Sequence, residues 1–194
     1  PDPPKTSQPP PGDFRRLYEF LASHYESVLS ISLSSRVSGT YNAAVTAAQR
    51  VAGGKVRVLD SGTVSLGQGL VAVRAAEVAN TGADIDAVEQ AACAARARVQ
   101  TWALTSTLDY AVRGGRIPPI ARTLSRLLHC MPVLHVTPDG LVRPCGVLWV
   151  RRRRIERFAD FIVKRLPAAP SYRVLVGHGA ADSGAETLLA ALPS

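Results

Sequence analysis

The first half of the chain alternates between stretches with a helical period of apolar residues and short runs of strand length. Apolar residues recur at helical spacing from Phe14, and again within 38–52 and 61–82. Short apolar runs lie between these stretches, at 27–33 and 55–60. The resulting order of helix, strand, helix, strand, helix predicts βαβ units and a parallel sheet.

The second half has a different pattern, which predicts strands that pair as hairpins. The segment 131–150 is two apolar runs on either side of a Pro138-Asp139-Gly140 turn, which favours a β-hairpin. We expect an antiparallel or mixed sheet with helices on one face. Further strands are predicted at 100–107 and 172–179, and helices at 84–99, 108–119, 120–130 and 151–166.

The change of pattern predicts an α/β protein of two domains. Residues 1–83 form a domain with a parallel sheet between layers of helices, and residues 84–194 form a second α/β domain with a mostly antiparallel sheet. We place the boundary near residue 83, or as late as residue 100. The first domain is expected to be incomplete, because a parallel α/β domain usually opens with a strand and this chain opens with a proline-rich arm and a helix.

Two of the predicted parallel strands run into loops rich in small hydroxyl residues and glycine, at 34–40 and 61–65. The carboxyl ends of parallel strands share one edge of a sheet, and ligands of open α/β sheets bind there. A helix begins in each loop, and its free N–H groups and dipole attract an anion. A serine at such a place is also a favoured N-cap, so the 34–40 loop alone leaves an ordinary helix cap as an alternative.

Two further segments can be interpreted either as part of a ligand site or as ordinary structure. Thr6 and Ser7 precede a run of prolines, which either holds the pair in one geometry or forms a surface arm. Gly62, Gly67 and Gly69 lie near the start of a helix, where they make room for a slim apolar ligand or allow close helix packing. Their spacing fits neither a dinucleotide-binding loop nor a phosphate-binding P-loop.

Composition narrows the classes of function. The formal net charge of +8 comes from arginine, including the run 151–154, and indicates an anionic partner, a solvated helix face or a general bias toward arginine. The three cysteines lack CxxC spacing, so we expect a reducing, cytoplasmic compartment without disulfides or a zinc site. We predict no transmembrane segment, since no run of 18 apolar residues occurs.

Motifs for catalysis are absent from the sequence. The four histidines fit no metalloprotease pattern, and no GxSxG nucleophile elbow occurs. His135 alternates with apolar residues and is interpreted as structural, while His178, beside glycines at the end of a predicted strand, is the best candidate for a polar role. Arg113 and Arg116 flank a glycine pair, which favours either contact with a phosphate or protein partner, or a solvated turn.

Taken together, five blocks of the sequence resemble the DegV family of fatty-acid-binding proteins. Their order and spacing agree with the family along nearly all of the chain, and it is the joint match that is specific. The resemblance implies a two-domain α/β protein that holds one long-chain fatty acid between its domains. The blocks are "KTSQPPPGDFRRLYEFL", "SISLSSRVSGTYNAA", "VRVLDSGTVSLGQGL", "TLDYAVRGGRI" and "MPVLHVTPDGLVRP".

The resemblance also implies roles for particular residues. The contacts to the fatty-acid carboxylate fall on Thr6 and on Ser38 with Gly39. Such proteins present the acyl chain to a fatty-acid kinase, so the chain is expected to be a carrier without catalytic residues, metal or cofactor, and with no nucleic-acid partner. Ser35 and Ser65 are further candidate ligand contacts, and Arg113 and Arg116 are candidates for docking the kinase.

The sequence departs from the family pattern at both ends. The family opens with an Asp-Ser-Thr strand and closes with a histidine-containing segment that helps at the carboxylate, and we find neither here. The alternative function is a small serine-dependent hydrolase or transferase acting on an anionic substrate through Ser35 or Ser38, which would require a nearby base. A third hypothesis is a basic interaction module that uses the 151–154 run.

Overall fold

The computed structural model describes residues 6–117, 130–149, 152–179 and 181–192. Contacts between residues divide the chain into two compact units. Unit 1 comprises Pro1–Thr101 and Val136–Val142, and unit 2 comprises Trp102–His135 and Arg143–Ser194.

Unit 1 contains a two-stranded parallel sheet with helices on both faces. The strands pair with Val28 opposite Val56 at one end and Ser32 opposite Asp60 at the other, which confirms the predicted parallel sheet. A short 3-10 turn, Ala52–Gly54, precedes the second strand. The elements are α1 (Pro11–His24), β1 (Val28–Ser32), α2 (Thr40–Ala48), β2 (Val56–Asp60), α3 (Leu66–Ala79) and α4 (Ile85–Arg98).

The two faces of this sheet are covered because alternate side chains of each strand point to opposite sides. Val56 and Val58 pack into a cluster with Tyr18 of α1 and the buried alanines of α2. Leu59 lies one residue after Val58 and three after Val56, so its side chain is on the other face, where it packs with α3 and α4, together with Leu29 of β1. The outcome is the predicted layering of helices, sheet and helices.

A charged cluster joins α4 to the sheet. Asp84 caps the helix by accepting a hydrogen bond from the Ala87 N–H at 2.8 Å. Arg57 of β2 donates to Glu89 at 2.9 Å and to Asp86 at 2.5 Å, and these two carboxylates raise the pKa of its guanidinium. Because α4 also packs along α3, residues 84–101 belong to unit 1, beyond the boundary predicted at residue 83 and close to its later limit of 100.

Unit 2 is built on a three-stranded sheet in the order β3-β4-β5. β3 and β4 are antiparallel, with Trp102 opposite His135, in agreement with the predicted antiparallel sheet. The hairpin predicted around Pro138-Asp139-Gly140 is confirmed, since Gly140 N–H donates to the Thr137 carbonyl at 2.8 Å. The elements are β3 (Trp102–Leu104), α5 (Asp109–Arg113), β4 (Met131–Val136), β5 (Val142–Leu148), α6 (Arg154–Val163) and α7 (Asp182–Ala191).

The structure of unit 2 differs from the predicted elements at two places. The strand predicted at 172–179 is wrong, because this segment has no regular secondary structure and its Val174 and Leu175 are nearly half exposed. Apolar alternation predicts a strand only where a neighbouring strand takes up its backbone hydrogen bonds. α7 was not predicted, and the helix predicted at 120–130 lies, except for its last residue, outside the described residues.

Within the described part of the chain, none of the helices combines the length and the apolar character that crossing a bilayer requires.

Candidate functional site

The two hydroxyl-rich loops lie together at the carboxyl edge of the parallel sheet in unit 1, as predicted from their places after β1 and β2. The Ser34 N–H donates to the Thr63 carbonyl at 2.7 Å, and the Ser61 N–H donates to the Ser32 carbonyl at 2.9 Å. These bonds continue the strand pairing beyond the last ladder residues. These backbone hydrogen bonds therefore fix the position of the two loops relative to each other.

Asp60, the last residue of β2, connects the same two loops through its carboxylate. One oxygen accepts from the Ser35 N–H at 3.2 Å and the other accepts from the Gly62 N–H at 2.7 Å. Sequence reasoning did not single out this residue. The available signal was an aspartate at the end of an apolar strand, directly before a serine-glycine turn, where a carboxylate can accept local backbone N–H groups.

The hairpin turn at 137–141 belongs to unit 1 and closes against the first loop. The Ser34 hydroxyl is fully buried, donates to the Gly140 carbonyl at 2.7 Å and accepts from the Arg36 N–H at 3.2 Å. Gly140 has a φ of +81°, and a Cβ added to it would collide with the Ser34 hydroxyl. Only glycine satisfies both the left-handed backbone and this close approach.

Ser38 does not cap α2, contrary to the simplest reading of a serine before a helix. The N-cap residue is Gly39, and no side chain caps this helix end. The Ser38 hydroxyl instead lies 2.8 Å from the Thr40 hydroxyl and accepts from the Thr40 N–H at 3.2 Å. Two hydroxyls and a helix N-terminus therefore meet within three residues, a set of neutral donors suited to an oxyanion.

The segment before the proline run reaches this turn through Gln8. Its side-chain oxygen sits where a Cβ on Gly39 would be, so the glycine is what allows the approach. Thr6 lies two residues before Gln8 and is exposed; its side chain makes no hydrogen bond within the described part of the chain. The structure thus brings the 6–8 segment and the 38–40 turn together through Gln8, which sequence reasoning missed.

The remaining candidates in unit 1 have different surroundings. Ser65 is the exposed N-cap of α3, with φ 54° and ψ −129° and no capping hydrogen bond. Gly67 is in close contact with the hydroxyls of Thr63 and Thr101, which favours the packing interpretation for this glycine. Gly69 differs, since a Cβ there would meet nothing within 4 Å.

A small polar pocket of about 120 Å³ lies beside the second loop. Its walls include Gly62, Thr63, Arg96 and Thr137, and the Arg96 Nε is 2.8 Å from the position that a Cβ on Gly62 would take. Pockets for ligands of drug size usually measure about 300–1,000 Å³. This pocket by itself is therefore too small and too polar for a long acyl chain.

The predicted partner residues lie at the end of α5 in unit 2. Arg113 ends the helix, Gly115 adopts a φ of +76°, and the Arg116 N–H donates to the Ala111 carbonyl at 2.9 Å. The Arg116 guanidinium also donates to the Gly114 carbonyl. Both arginine side chains are exposed, as is the neighbouring Tyr110 at 68%.

Two histidines were singled out in the sequence, His135 and His178, and the structure gives each of them neighbours. His135 stacks on Trp102 with ring centroids 5.2 Å apart, and burial lowers its pKa, as befits a structural residue. His178 Nδ1 accepts from the Ala181 N–H at 3.2 Å and lies 3.1 Å from an Asp182 oxygen. Among the described residues, no group of three or more His, Cys, Asp or Glu side chains could hold a metal ion.

Comparison with known proteins gives a family match over the full chain. The family model described as "Uncharacterised protein, DegV family" matches residues 1–194. A DegV domain-containing protein of Streptomyces coelicolor is 34% identical over 184 residues, covering 94% of this chain and 64% of that protein. Protein DegV of Bacillus subtilis is 30% identical over 191 residues, covering 96% of this chain and 66% of that protein.

Solved structures match the fold as well. A DegV family protein from Thermus thermophilus, described by its fatty acid binding, gives a TM-score of 0.73 at 33% identity over 83% of this chain and 57% of its own. The Thermotoga maritima protein TM841, described as revealing fatty acid binding function, gives a TM-score of 0.78 at 29% identity over 97% of this chain and 66% of its own.

The match is one-sided in length. The chain spans 56% to 67% of the length of the curated relatives with which it was compared, while these matches include 82% to 97% of its own residues. The family model nevertheless matches all 194 residues, and the Streptomyces and Bacillus relatives, at 34% and 30% identity, cover 94% and 96% of the chain. The chain belongs to the DegV family.

Proposed function

We propose that this protein binds one long-chain fatty acid, with the carboxylate at Thr6, Ser38 and Gly39. The observation that carries the proposal is the contact of Gln8 with Gly39, which brings the threonine-serine segment to the start of α2. Solved relatives that share 28–33% identity with this chain are described as fatty-acid binding. Ser35 and Ser65 are proposed as secondary contacts, and the placement of the tail between the domains rests on the family resemblance.

The chemistry of the turn suits a carboxylate. Each oxygen of this anion accepts hydrogen bonds, and hydroxyl and helix N–H donors supply them without a full positive charge. The tail contributes through burial, at roughly 0.8 kcal/mol for each CH₂ group removed from water. The affinity would then come mainly from burial of the acyl chain, and the 38–40 turn would set the orientation of the carboxylate.

A carrier role explains this site better than catalysis does. A serine nucleophile needs a base within hydrogen-bond reach, and the Ser38 hydroxyl has Thr40 as its partner among the described residues. We therefore propose that the protein is a cytoplasmic, non-catalytic carrier that presents the acyl chain to a fatty-acid kinase. The exposed Arg113 and Arg116 are proposed to dock that kinase through its acidic groups.

Binding is tested by extracting the purified protein with organic solvent, identifying fatty acids by mass spectrometry, and titrating the delipidated protein with oleate. Replacing Thr6→Ala together with Ser38→Ala removes two donors to the carboxylate. We expect the dissociation constant for oleate to rise about 100-fold, since hydrogen bonds to a charged group contribute about 1.5 kcal/mol or more each.

The matched control is Ser23→Ala with Thr46→Ala. These hydroxyls bond to carbonyls within their own helices, so oleate affinity should stay at the wild-type value. An unchanged affinity of the Thr6 and Ser38 variant would place the carboxylate elsewhere. A protein that neither retains nor takes up a fatty acid would contradict the proposed function itself.

A further inference from the structure

Arg36 is a cation within the 34–40 loop whose charge is not used by the fold. Its backbone N–H donates to the Ser34 hydroxyl at 3.2 Å, which fixes the start of the side chain. Its Cγ lies 3.4 Å from the position that a Cβ on Gly140 would take, so the apolar stem packs along the 137–141 turn. The residue is exposed, and its guanidinium makes no hydrogen bond or ion pair within the part of the chain that the structure describes.

Asp60, at the same edge of the sheet, bonds to the backbone and not to the Arg36 guanidinium. Both oxygens of Asp60 accept backbone N–H groups, from Ser35 and from Gly62. Arg36 thus carries an exposed guanidinium, two residues before Ser38 in the sequence. Packing of the stem with a solvated head is a common arrangement for arginine and holds the charge near a surface without burying it.

The hydroxyls of this turn do not by themselves distinguish a charged head group from a neutral one. A serine or threonine hydroxyl both donates and accepts, so it can bond to a carboxylate, an alcohol or an ester. A guanidinium only donates, is always charged, and matches the paired oxygens of carboxylates and phosphates. The arginine therefore adds a full positive charge to the weaker preference for anions that the start of α2 provides.

We propose that Arg36 is a specificity-determining residue of the 34–40 loop: it selects acyl ligands with an anionic head group and favours a dianionic phosphate head over a carboxylate. This inference rests on the proposed fatty-acid binding and extends it to the phosphorylated acyl chain. A phosphate head presents three strong acceptor oxygens and nearly twice the charge, so its attraction to one guanidinium is larger. The loop would then retain an acyl phosphate at least as well as the acid from which it forms.

The test uses three ligands that share one oleyl chain and differ in the head: oleyl phosphate, oleate and oleyl alcohol. Dissociation constants are measured for the wild-type protein, Arg36→Gln and Arg36→Lys. We expect Arg36→Gln to weaken oleyl phosphate about 30-fold and oleate about 5-fold while leaving the alcohol unchanged. Arg36→Lys should recover part of both losses, because it keeps the charge but not the paired donors.

Arg50→Gln is the matched control. Arg50 follows the opposite end of α2, is exposed, and has no ionic partner among the described residues, so the same change of charge should leave all three affinities unchanged. Thermal unfolding of each variant shows whether the loop still folds. Raising the ionic strength should weaken phosphate binding more in the wild type than in Arg36→Gln.

The outcomes separate this inference from the proposed function. If the wild type binds oleate and Arg36→Gln binds each of the three ligands as tightly as the wild type does, the inference is wrong and fatty-acid binding stands. Equal losses for all three ligands would also overturn it, since they would show that Arg36 only shapes the loop. A wild type that binds no oleyl ligand would overturn both.

Discussion

The two units of this chain use their polar residues in opposite ways. Unit 1 contains ten basic and ten acidic residues, whereas unit 2 contains thirteen basic and five acidic residues. The whole net charge of +8 therefore belongs to unit 2. A charge surplus acts at long range on partners, while a unit without net charge recognises a ligand through local groups, namely directed hydrogen bonds and individually placed charges.

The hydrogen bonds follow the same division. In unit 1, the loops after β1 and β2 bond to each other through Ser34, Asp60 and Thr63, and the turn at 137–141 bonds to Ser34. In unit 2, Arg113 and Arg116 face solvent on a helix end. Polar groups that bond to one another fix a geometry, whereas exposed charges leave stability almost unchanged and remain available to partners.

The largest expected effect is at the glycine that closes the loops of unit 1. Gly140→Ala places a Cβ against the Ser34 hydroxyl in a left-handed backbone. We expect the free energy of unfolding to fall by about 3 kcal/mol. Chemical denaturation measures it, with Gly12→Ala as control, because a Cβ at Gly12 meets nothing within 4 Å. Equal stability of the two variants would refute the interlocked geometry.

A smaller effect is expected from the buried hydroxyl itself. Ser34→Ala removes the donor to the Gly140 carbonyl and the acceptor of the Arg36 N–H. Because a buried polar group then loses its partner, we expect a loss of about 2 kcal/mol in the same denaturation experiment. Ser23→Ala on the exposed face of α1 should change stability by less than about 0.5 kcal/mol. Similar values for both serines would mean that the loops are held by other contacts.

The smallest effect on stability is expected in unit 2. Replacing Arg113→Gln and Arg116→Gln should change the free energy of unfolding by less than about 0.5 kcal/mol, since both side chains are solvated. The same variant should weaken binding to a bacterial fatty-acid kinase about 10-fold, as measured by calorimetry. Arg50→Gln with Arg98→Gln removes the same charge from unit 1 and should leave kinase binding unchanged. Equal losses in both variants would show that net charge, rather than the α5 end, attracts the kinase.

Much of unit 1 could be predicted from local sequence. Its helices and strands are indicated by patterns that extend over only a few residues. These patterns are the apolar runs of β1 and β2, the helical spacing from Phe14 and the glycines at the ends of elements. The shared edge of the two loops followed from the parallel order alone. The strand predicted at 172–179 was wrong because a strand forms only against a partner strand. That partner lies elsewhere in the chain, so the local sequence does not reveal it.

The contacts around the candidate site could be anticipated from the sequence only in part. The composition of the turn drew attention to Ser38 and Gly39, the family resemblance assigned them to the carboxylate, and that assignment stays a prediction. A serine before a helix does not reveal whether it caps that helix. In the structure Gly39 is the N-cap residue of α2, and the Ser38 hydroxyl forms a hydrogen bond with the Thr40 hydroxyl. Gln8 was missed, because a side chain that fills the space over a distant glycine leaves no periodic signal.

The sequence by itself determined the order of the elements, the hydroxyl-rich loops at their ends and the surplus of arginine, because each depends on neighbouring residues or on composition. Only the tertiary structure decided which groups meet: Asp60 with both loops, Ser34 with Gly140, and Gln8 with Gly39. These contacts join residues far apart in the chain. Their energies depend on atomic distances that chain folding alone establishes.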